Sequence, residues 1–519
     1  MAASTISYIA ALDVGTTTVR CHILDNNATT IGTSSTKVEL IYPKPGYVEI
    51  DPDHLWESIL QVMKDALRGK IRSNIPNQIT CLGISTQRGS FTTWNPDTGK
   101  HYHNFITWKD LRADLMVKEW NSSLTMKGLR TSAHLLYMLS GSKRFLAGSV
   151  IKLMNTQTTL RLMWALHHVP GLKEAATGGK ALYGGVDCWL LYKLTGKHIT
   201  DASSASATGL FDPFTMQWAS WAIKMFKLPL KIFPEVVDTA GNLGIIPKSL
   251  FGAEIPIRCS MADQAASLFG STSFQPGDLK VTMGTGTFVN VNTGDEPHAS
   301  ITGLYPLVGW RIGTEIVYVV EGASNDTGSL IDWAKSIGIV DQPSETSDLA
   351  KSVQDSDGVY FVPAFSGLQA PINDQTAAAG FLGVKPTSSR ANLARSILES
   401  LVFRIILIYE SLQQETKFSY HTIRVDGGVS RNGFMMQLLA DLTGLKVERA
   451  TSSEMSILGV AFLAGLLDYN VFLSNVSTEE LLKFRQVEKV FIPRPDVQLN
   501  YQSTIKQWRK AVERFKDWY

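Results

Sequence analysis

The chain has 519 residues, too many for one ordinary hydrophobic core, so its length predicts two domains with a cleft between them. Apolar residues make up 44% and charged residues 18% of the sequence, and its net charge is +2. This balance is typical of a folded protein, and it gives no electrostatic reason to bind nucleic acid or an anionic membrane. Four widely separated cysteines, Cys21, Cys81, Cys188 and Cys259, indicate free thiols in a reducing compartment rather than a zinc site or a disulfide framework.

Neither the start of the chain nor its most apolar stretch has the pattern of a targeting peptide or a membrane span. The start of the chain has no basic region and runs directly into a strand, which argues against a signal peptide. The most apolar helical stretch, SILESLVFRIILIY, is interrupted by Glu399 and Arg404 and is too short to span a bilayer. We therefore expect a cytoplasmic protein without a membrane span.

The first third of the chain reads as strands followed by one long helix. ISYIAALDV, VRCHILD and TTIGTSSTKV are β-rich runs separated by small or polar turns, and QITCLGIST is a further strand. DPDHLWESILQVMKDALRG predicts an amphipathic helix with Asp51 or Asp53 as its N-cap. Residues 121–150 fit neither pattern and indicate an inserted element.

After residue 270 the pattern starts again. GDLKVTMGTGTFVNVNTG predicts a hairpin, EIVYVVEG a strand, and ANLARSILESLVFRIILIYESL a long helix, while TIRVDGGVSRNGFMMQLLADL reads as strand, glycine turn and helix. The sequence thus predicts an α/β fold with two similar domains, 1–270 and 271–519, that clamp a ligand between them.

Each half begins with a glycine-threonine turn that can cradle phosphate. The first is DVGTTTVR, where Asp13 can hold hydrated Mg²⁺ and Arg20 adds positive charge. The second is MGTGTF, residues 283–288. An ordinary β-turn is the alternative for either loop taken alone, but two such loops in corresponding places make that alternative less favourable.

Two further motifs lie where a strand meets a helix. Asp263, followed by Gln264, is either a helix cap or a general base that accepts a hydroxyl proton during attack on phosphorus. The two glycines of DGGVSRN, residues 426–432, leave room for a flat base, although a turn that needs positive φ is an equal alternative.

In this order and spacing the motifs resemble the FGGY carbohydrate kinases, and within that family the glycerol kinases most. IYPKPGYVEIDPDHLW, GGVDCWLLYKLTGK, TDASSASATGLFDP, GVYFVPAFSGLQAPIND and KQWRKAVERFKDW extend the resemblance over nearly the whole chain. It implies two actin-like, ribonuclease H-like ATPase domains with an active-site cleft between them. It also implies ATP and Mg²⁺ as cofactors, glycerol as the small-molecule partner, and leaves a homodimer open.

Site residues follow from the matching positions. The resemblance implies Asp263 as the catalytic base and Asp13 as the magnesium-associated aspartate. Around glycerol it implies a second set: Arg88, Trp108, Asp263, Gln264 and Phe288. Around the nucleotide it implies a third: Thr16, Thr17, Thr18, Arg20, Thr285, Gly328, Gly428 and Asn432.

The acceptor side departs from the glycerol kinase pattern. Gly89 follows Arg88 where those enzymes usually have glutamate, Thr156 stands where they have tyrosine, and Arg161 stands where the family signature has lysine. On the nucleotide side, Asp332 stands where a glutamine usually meets the nucleotide. A charge-assisted hydrogen bond contributes about 1.5–3 kcal/mol, so a missing carboxylate beside Arg88 should weaken glycerol binding at least tenfold, on the order of that energy.

The sequence therefore predicts an ATP- and Mg²⁺-dependent kinase that phosphorylates glycerol to sn-glycerol 3-phosphate. One alternative keeps the kinase and changes the acceptor to another polyol or ketose, because Gly89 and Thr156 could open room for a larger substrate. The other is a weakly active nucleotide-binding regulator that recruits a partner through residues 121–150.

Overall fold

The structure is a computed structural model that describes residues 7–68, 78–467 and 478–519. It contains one large mixed β-sheet in each half of the chain, with helices packed around both. The predicted α/β fold with two similar halves is confirmed. The first six residues, on which the prediction about a signal peptide depends, lie outside the described part of the chain.

The first half has the following strands and helices in chain order: β1 (Tyr8–Val14), β2 (Thr18–Leu24), β3 (Thr30–Lys37), β4 (Glu49–Ile50), α1 (Pro52–Arg68), β5 (Ile79–Thr86), β6 (Phe91–Trp94), β7 (Phe105–Ile106), α2 (Asp114–Ser122), α3 (Leu124–Ser140), α4 (Lys143–Ser149), α5 (Thr158–His168), α6 (Leu172–Thr177), β8 (Leu182–Gly185), α7 (Val186–Thr195), β9 (Ile199–Asp201), α8 (Ala202–Ser206), β10 (Phe211–Asp212), β11 (Gln217–Trp218), α9 (Ser220–Met225), β12 (Glu235–Val237), β13 (Ala240–Ile246), α10 (Lys248–Phe251), β14 (Ile255–Ala262) and α11 (Asp263–Gly270).

The second half continues in the same way: β15 (Leu279–Met283), β16 (Thr287–Gly294), β17 (Tyr305–Ile312), β18 (Glu315–Ser324), α12 (Gly328–Ser336), α13 (Thr346–Lys351), β19 (Tyr360–Val362), β20 (Gly380–Leu382), α14 (Arg390–Glu415), β21 (Thr422–Asp426), α15 (Gly433–Thr443), β22 (Lys446–Ala450), α16 (Met455–Leu467), α17 (Thr478–Leu481), β23 (Val487–Phe491) and α18 (Pro495–Phe515). Short 3₁₀ helices lie at Leu230–Ile232, Pro343–Glu345, Gly428–Arg431 and Leu482–Phe484.

The two large sheets repeat one topology. From β3 the first sheet runs β3-β2-β1-β5-β14-β13, with neighbours antiparallel, antiparallel, parallel, parallel and antiparallel. From β18 the second sheet repeats these directions through β16, β15, β21, β22 and β23, with β17 added at its edge. The predicted duplication is therefore visible strand by strand, and each glycine-threonine turn joins the first two strands of its half.

Helix α16 of the second half packs on the first sheet. A Cβ on Gly83 of β5 would lie 2.3 Å from the Val460 carbonyl oxygen, and one on Gly459 would lie 1.8 Å from the Ala266 carbonyl oxygen. The helix axis can approach this closely only because those positions lack side chains. Glycines thus bring α16 into the core that the two halves share.

The inserted element at 121–150 is a helical hairpin. Ser123 caps α3 by accepting a hydrogen bond from the Met126 N–H, and Gly141 ends α3 in the left-handed conformation with φ of 66°. Only Met126 and Ala133 of α3 are buried, so this helix packs on the rest of the protein through a narrow face. Across residues 7–68, 78–467 and 478–519, every helix is too short or too polar to cross a membrane.

Candidate active site

Three neighbouring parallel strands bring the first group of predicted residues to one edge. Asp13 lies near the carboxyl end of β1, Arg88 lies two residues beyond β5, and Asp263 follows β14 directly. The carboxyl ends of adjacent parallel strands meet at the same edge of a sheet, where ligands of open α/β sheets bind. A cavity of about 1110 Å³ opens beside this edge, and Arg88 and Asp263 line it.

The first glycine-threonine turn closes tightly between β1 and β2. The Gly15 N–H donates to the Thr18 carbonyl at 3.0 Å. Thr16 and Thr17 line the cavity, whereas Thr18 begins β2 and does not line it. The Trp108 Nε1–H donates to the Thr16 hydroxyl oxygen at 2.8 Å, so this turn is attached directly to the predicted acceptor side.

The second turn, Gly284–Gly286, faces the same cavity and presents Thr285 to it. The Thr327 N–H donates to the Thr285 carbonyl at 2.9 Å, and the Gly328 N–H donates to the Gly284 carbonyl at 3.1 Å. A Cβ on Gly328 would lie 2.8 Å from that Gly284 oxygen. Gly328 is therefore outside the cavity lining but supports the turn by close backbone contact.

Asp13 is buried behind the two turns. The Ser85 hydroxyl donates to its Oδ1 at 2.7 Å. Burial, together with the nearby Asp263 carboxylate, raises the pKa of Asp13 to about 6 against the opposing effects of Ser85 and Arg20. Arg20 is turned partly away, since its Nε pairs with Glu454 at 2.9 Å and its Nη1 lies 3.8 Å from Asp13.

These carboxylates are suited to Mg²⁺ rather than to a metal with a full protein ligand set. Within the described residues there is no group of three or more His, Cys, Asp or Glu side chains that could hold a metal ion. Mg²⁺ retains water and is usually held by one or two carboxylates together with substrate phosphates. Asp13, with Asp263 as its neighbouring charge, fits that requirement beside the glycine-threonine turns.

The residues predicted to bind the flat base of the nucleotide lie beside the second turn but outside the cavity lining. Gly427, with φ of +85°, approaches Met283 so closely that a Cβ would lie 2.4 Å from its carbonyl oxygen. A side chain on Gly428 would meet nothing within 4 Å. Asn432 caps α15 by accepting from the Met435 N–H at 3.0 Å and donates to the Thr346 hydroxyl at 3.0 Å. The strand β21 thus carries this motif to the end of the second sheet that bears Thr285.

Arg88 is bound by two carboxylates, although the residue that follows it is Gly89 and not the glutamate of the glycerol kinase pattern. Its Nη2 donates to both oxygens of Glu321 at 2.9 and 2.8 Å, and its Nε lies 3.3 Å from Asp263 Oδ1. Glu321 is on β18, far from Gly89 in the chain. Sequence neighbours could not reveal this partner, because the second half supplies it.

The charges of this trio are interdependent. Burial raises the pKa of Asp263, and the Arg88 guanidinium opposes that increase. Burial also raises the pKa of Glu321, again against the effect of Arg88. A raised pKa favours the protonated carboxyl and makes Asp263 a stronger proton acceptor once it is ionised.

Gly89 is glycine for a steric reason. Its φ is +72°, and a Cβ there would lie 2.6 Å from the Thr156 carbonyl oxygen. Arg161 holds this contact in place by donating from Nη2 to the Gly89 carbonyl at 2.7 Å and to the Thr156 carbonyl at 2.9 Å. The backbone therefore occupies the space that a side chain at residue 89 would need.

Arg161 is fully buried among backbone carbonyls. Its Nη1 donates to the carbonyls of Ile106 and Thr107 as well. Burial lowers its pKa to about 10, so it keeps its charge at neutral pH. The arginine in place of the expected lysine supplies a planar set of donors that joins several loops around the acceptor side.

The other residues predicted to surround glycerol, Trp108, Phe288 and Gln264, form a wall of two aromatic rings and an amide side chain. The rings of Trp108 and Phe288 lie edge to face with centroids 6.3 Å apart, and the Arg88 guanidinium lies 5.6 Å from the Phe288 centroid. The buried Gln264 Oε1 has no hydrogen-bond partner within the described residues. An unpaired buried amide oxygen is unfavourable, so this atom favours a ligand hydroxyl.

Sequence analysis missed Glu321. The available signal was a carboxylate in the otherwise apolar strand run EIVYVVEGAS, where a buried charge requires a partner. The buried ion pair between Lys280 and Asp426, at 2.7 Å, was missed as well; Lys280 opposes the increase in the pKa of Asp263.

Comparison with known proteins agrees with this geometry. The N-terminal domain of the FGGY family of carbohydrate kinases matches residues 8–270, and its C-terminal domain matches residues 279–467. The chain belongs to the FGGY family of carbohydrate kinases. This FGGY kinase is a glycerol kinase-like phosphotransferase whose acceptor is an alcohol group.

Several relatives match this FGGY kinase over almost its whole length. It is 46% identical to glycerol kinase 5 of Danio rerio and 45% identical to glycerol kinase 5 of Homo sapiens, covering 99% of this chain and 97% and 96% of those proteins. It is 33% identical to glycerol kinase 2 of Thermotoga maritima, with 99% of both chains covered. The solved structure of Plasmodium falciparum glycerol kinase with ADP superposes with a TM-score of 0.85 at 26% identity, covering 98% of both chains.

Proposed function

We propose that this FGGY kinase transfers the γ-phosphate of ATP to a terminal hydroxyl of glycerol and forms sn-glycerol 3-phosphate. The observation that carries the proposal is the cluster of Arg88, Asp263 and unpaired Gln264 in a cavity that both glycine-threonine turns also line. The relatives named above as glycerol kinases support the same acceptor.

In this proposal each side chain has a defined task. Asp263 accepts the proton from the attacking hydroxyl, and its raised pKa suits a base working near neutral pH. Arg88 donates hydrogen bonds to the acceptor oxygens, Gln264 accepts one, and the Trp108 and Phe288 rings contact the carbon chain. Glu321 holds the Arg88 guanidinium in place from the second half.

The phosphate is held from both sides. The N–H groups and hydroxyls around Thr16, Thr17 and Thr285 are positioned to bind the transferring phosphoryl group. Mg²⁺ held near Asp13 would neutralise phosphate charge when MgATP is bound. Closure of the two halves on the substrates would exclude water and limit ATP hydrolysis.

The test is a direct measurement of product. Purified protein is incubated with saturating glycerol and MgATP, and sn-glycerol 3-phosphate is quantified by mass spectrometry alongside ADP. We expect product in the unaltered protein and none with Asp263→Asn. The matched control is Asp295→Asn, an exposed aspartate, which should leave the rate unchanged. Absence of glycerol 3-phosphate from the unaltered protein would overturn the proposal.

A further inference from the structure

The cavity extends well beyond the acceptor residues. Its volume of about 1110 Å³ includes the part beside both glycine-threonine turns, where ATP would lie in the proposed function, and a further part beside the inserted hairpin. From Asp263 it continues past Met154 and Thr156 to the inserted hairpin, where Leu129, Ala133, Leu136 and Phe145 line it. Glycerol has only three carbons and cannot fill this part.

The hairpin section of the cavity is apolar, and its charged groups are already paired. Arg144 binds Asp212 with Nε at 2.8 Å from Oδ2, and Lys152 donates to the Asn373 carbonyl at 2.6 Å. Asp114 accepts from the Asn155 side chain at 2.8 Å and pairs with Lys118 at 3.1 Å. A second phosphate would therefore find these cations already paired, and among the buried side chains named here only Asn155 Oδ1 has no partner within the described residues, whereas a neutral apolar chain needs no partner.

The wall itself leaves apolar surface uncovered. Leu136 lines the cavity and is 44% exposed, so an apolar group that covers it would remove apolar surface from water. Since the same cavity reaches Asp263, a molecule that covers Leu136 can place its other end at the catalytic base.

We infer that the acceptor class includes glycerols that carry one apolar chain, with the chain in the hairpin section and the glycerol end at Arg88 and Asp263. This inference rests on the proposed phosphorylation of glycerol. In the reaction a free hydroxyl of the glycerol end loses its proton to Asp263 and forms a bond to the γ-phosphorus. The bond between that phosphorus and the β,γ-bridging oxygen breaks, and ADP leaves.

The experiment measures KM along a series of 1-O-alkylglycerols whose alkyl chains have about two to eight carbons. Each compound is used below its micelle concentration. Product is identified by mass as the alkylglycerol monophosphate. We expect KM to fall by about fourfold for each methylene that enters the cavity, since each buried methylene contributes about 0.8 kcal/mol.

Two neighbouring leucines of α3 provide a matched pair. Leu136 lines the cavity, while Leu135 is 51% exposed and does not line it. Leu136→Asp should remove most of the gain with chain length, about tenfold or more for the longest ether, because it places a charge against the chain. Leu135→Asp should retain the gain and phosphorylate glycerol as the unaltered protein does.

The outcomes separate the two proposals. Glycerol phosphorylation with a KM that stays flat along the series would overturn the inference and leave the proposed function standing. Binding of the alkylglycerol without a phosphorylated product, or an equal loss in both leucine variants, would also overturn it. Failure to phosphorylate glycerol and every ether would overturn the proposed function itself.

Discussion

Replacing Glu321 by glutamine tests whether a residue of the second half controls the acceptor site. The substitution keeps the size of the side chain and removes the charge that both hydrogen bonds from Arg88 use. The side chains of Arg88 and Glu321 are 13% and 6% exposed, so the arginine would be left buried with Asp263 as its only ion-pair partner among the residues that the structure describes.

The structure allows the size of the effect to be estimated. Breaking a buried ion pair by removing one partner lowers the free energy of unfolding by about 3–5 kcal/mol. A charged hydrogen bond contributes about 1.5–3 kcal/mol, so losing the correct placement of Arg88 should raise the KM for glycerol at least tenfold, on the order of that energy. The KM for ATP should be unchanged, since Glu321 contacts neither glycine-threonine turn through the hydrogen bonds seen here.

The assay compares Glu321→Gln with Glu399→Gln. Glu399 pairs with Arg395 at 2.8 Å in α14, and their side chains are 4% and 10% exposed, which matches the burial of the first pair. Chemical denaturation should show a similar loss of stability in both variants, whereas only Glu321→Gln should change the glycerol KM. Equal changes in the glycerol KM of the two variants would refute the reasoning.

Three further predictions concern Gly89, Arg161 and Asp13. Gly89→Ala should lower the free energy of unfolding by at least about 1–2 kcal/mol, measured with urea, because φ is +72° and the new Cβ meets the Thr156 carbonyl. Arg161→Lys should lower it by about 1–3 kcal/mol and raise the KM for glycerol, because a lysine cannot reach all the carbonyls that the arginine holds. Asp13→Asn should abolish MgATP-dependent turnover in a product assay yet stabilise the free protein by up to about 3 kcal/mol at pH 7.

The sign of the Asp13 prediction follows from its pKa. The folded pKa of about 6 is above the ordinary value of 3.8, so the folded state binds this proton more tightly than the unfolded state. The destabilising contribution of the buried charge is complete above pH 6 and disappears as the pH falls towards 4, roughly the unfolded value. Asp13→Asn should therefore stabilise at pH 7 and have little effect at pH 4.

Each of these three predictions can fail clearly. An unchanged unfolding energy in Gly89→Ala would show that the Thr156 carbonyl moves freely. Full acceptor affinity in Arg161→Lys would show that the carbonyl network does not position the site. Stabilisation of Asp13→Asn that is equal at both pH values would show that its charge is not the cause.

The sequence by itself determined the fold class and the positions of the two glycine-threonine turns. Alternating hydrophobic runs predicted β1, β2, β5 and the repeat beginning at β15, because strand periodicity and glycine turns are local properties. Asp263 at the junction of β14 and α11 followed from the same pattern. The roles assigned to all the site residues stay predictions, those of Asp13, Arg88 and Asp263 included, as does the domain boundary at 270.

Only the tertiary structure decided how the acceptor side is built. Arg88 receives its carboxylate from Glu321, which is 233 residues later in the chain, and Gly89 is required by a contact with Thr156. The hairpin at 121–150 had no clear local pattern, and its contribution to the cavity depends on how it packs. Such contacts join residues that are far apart in the chain. The local sequence around each residue therefore does not identify its partner.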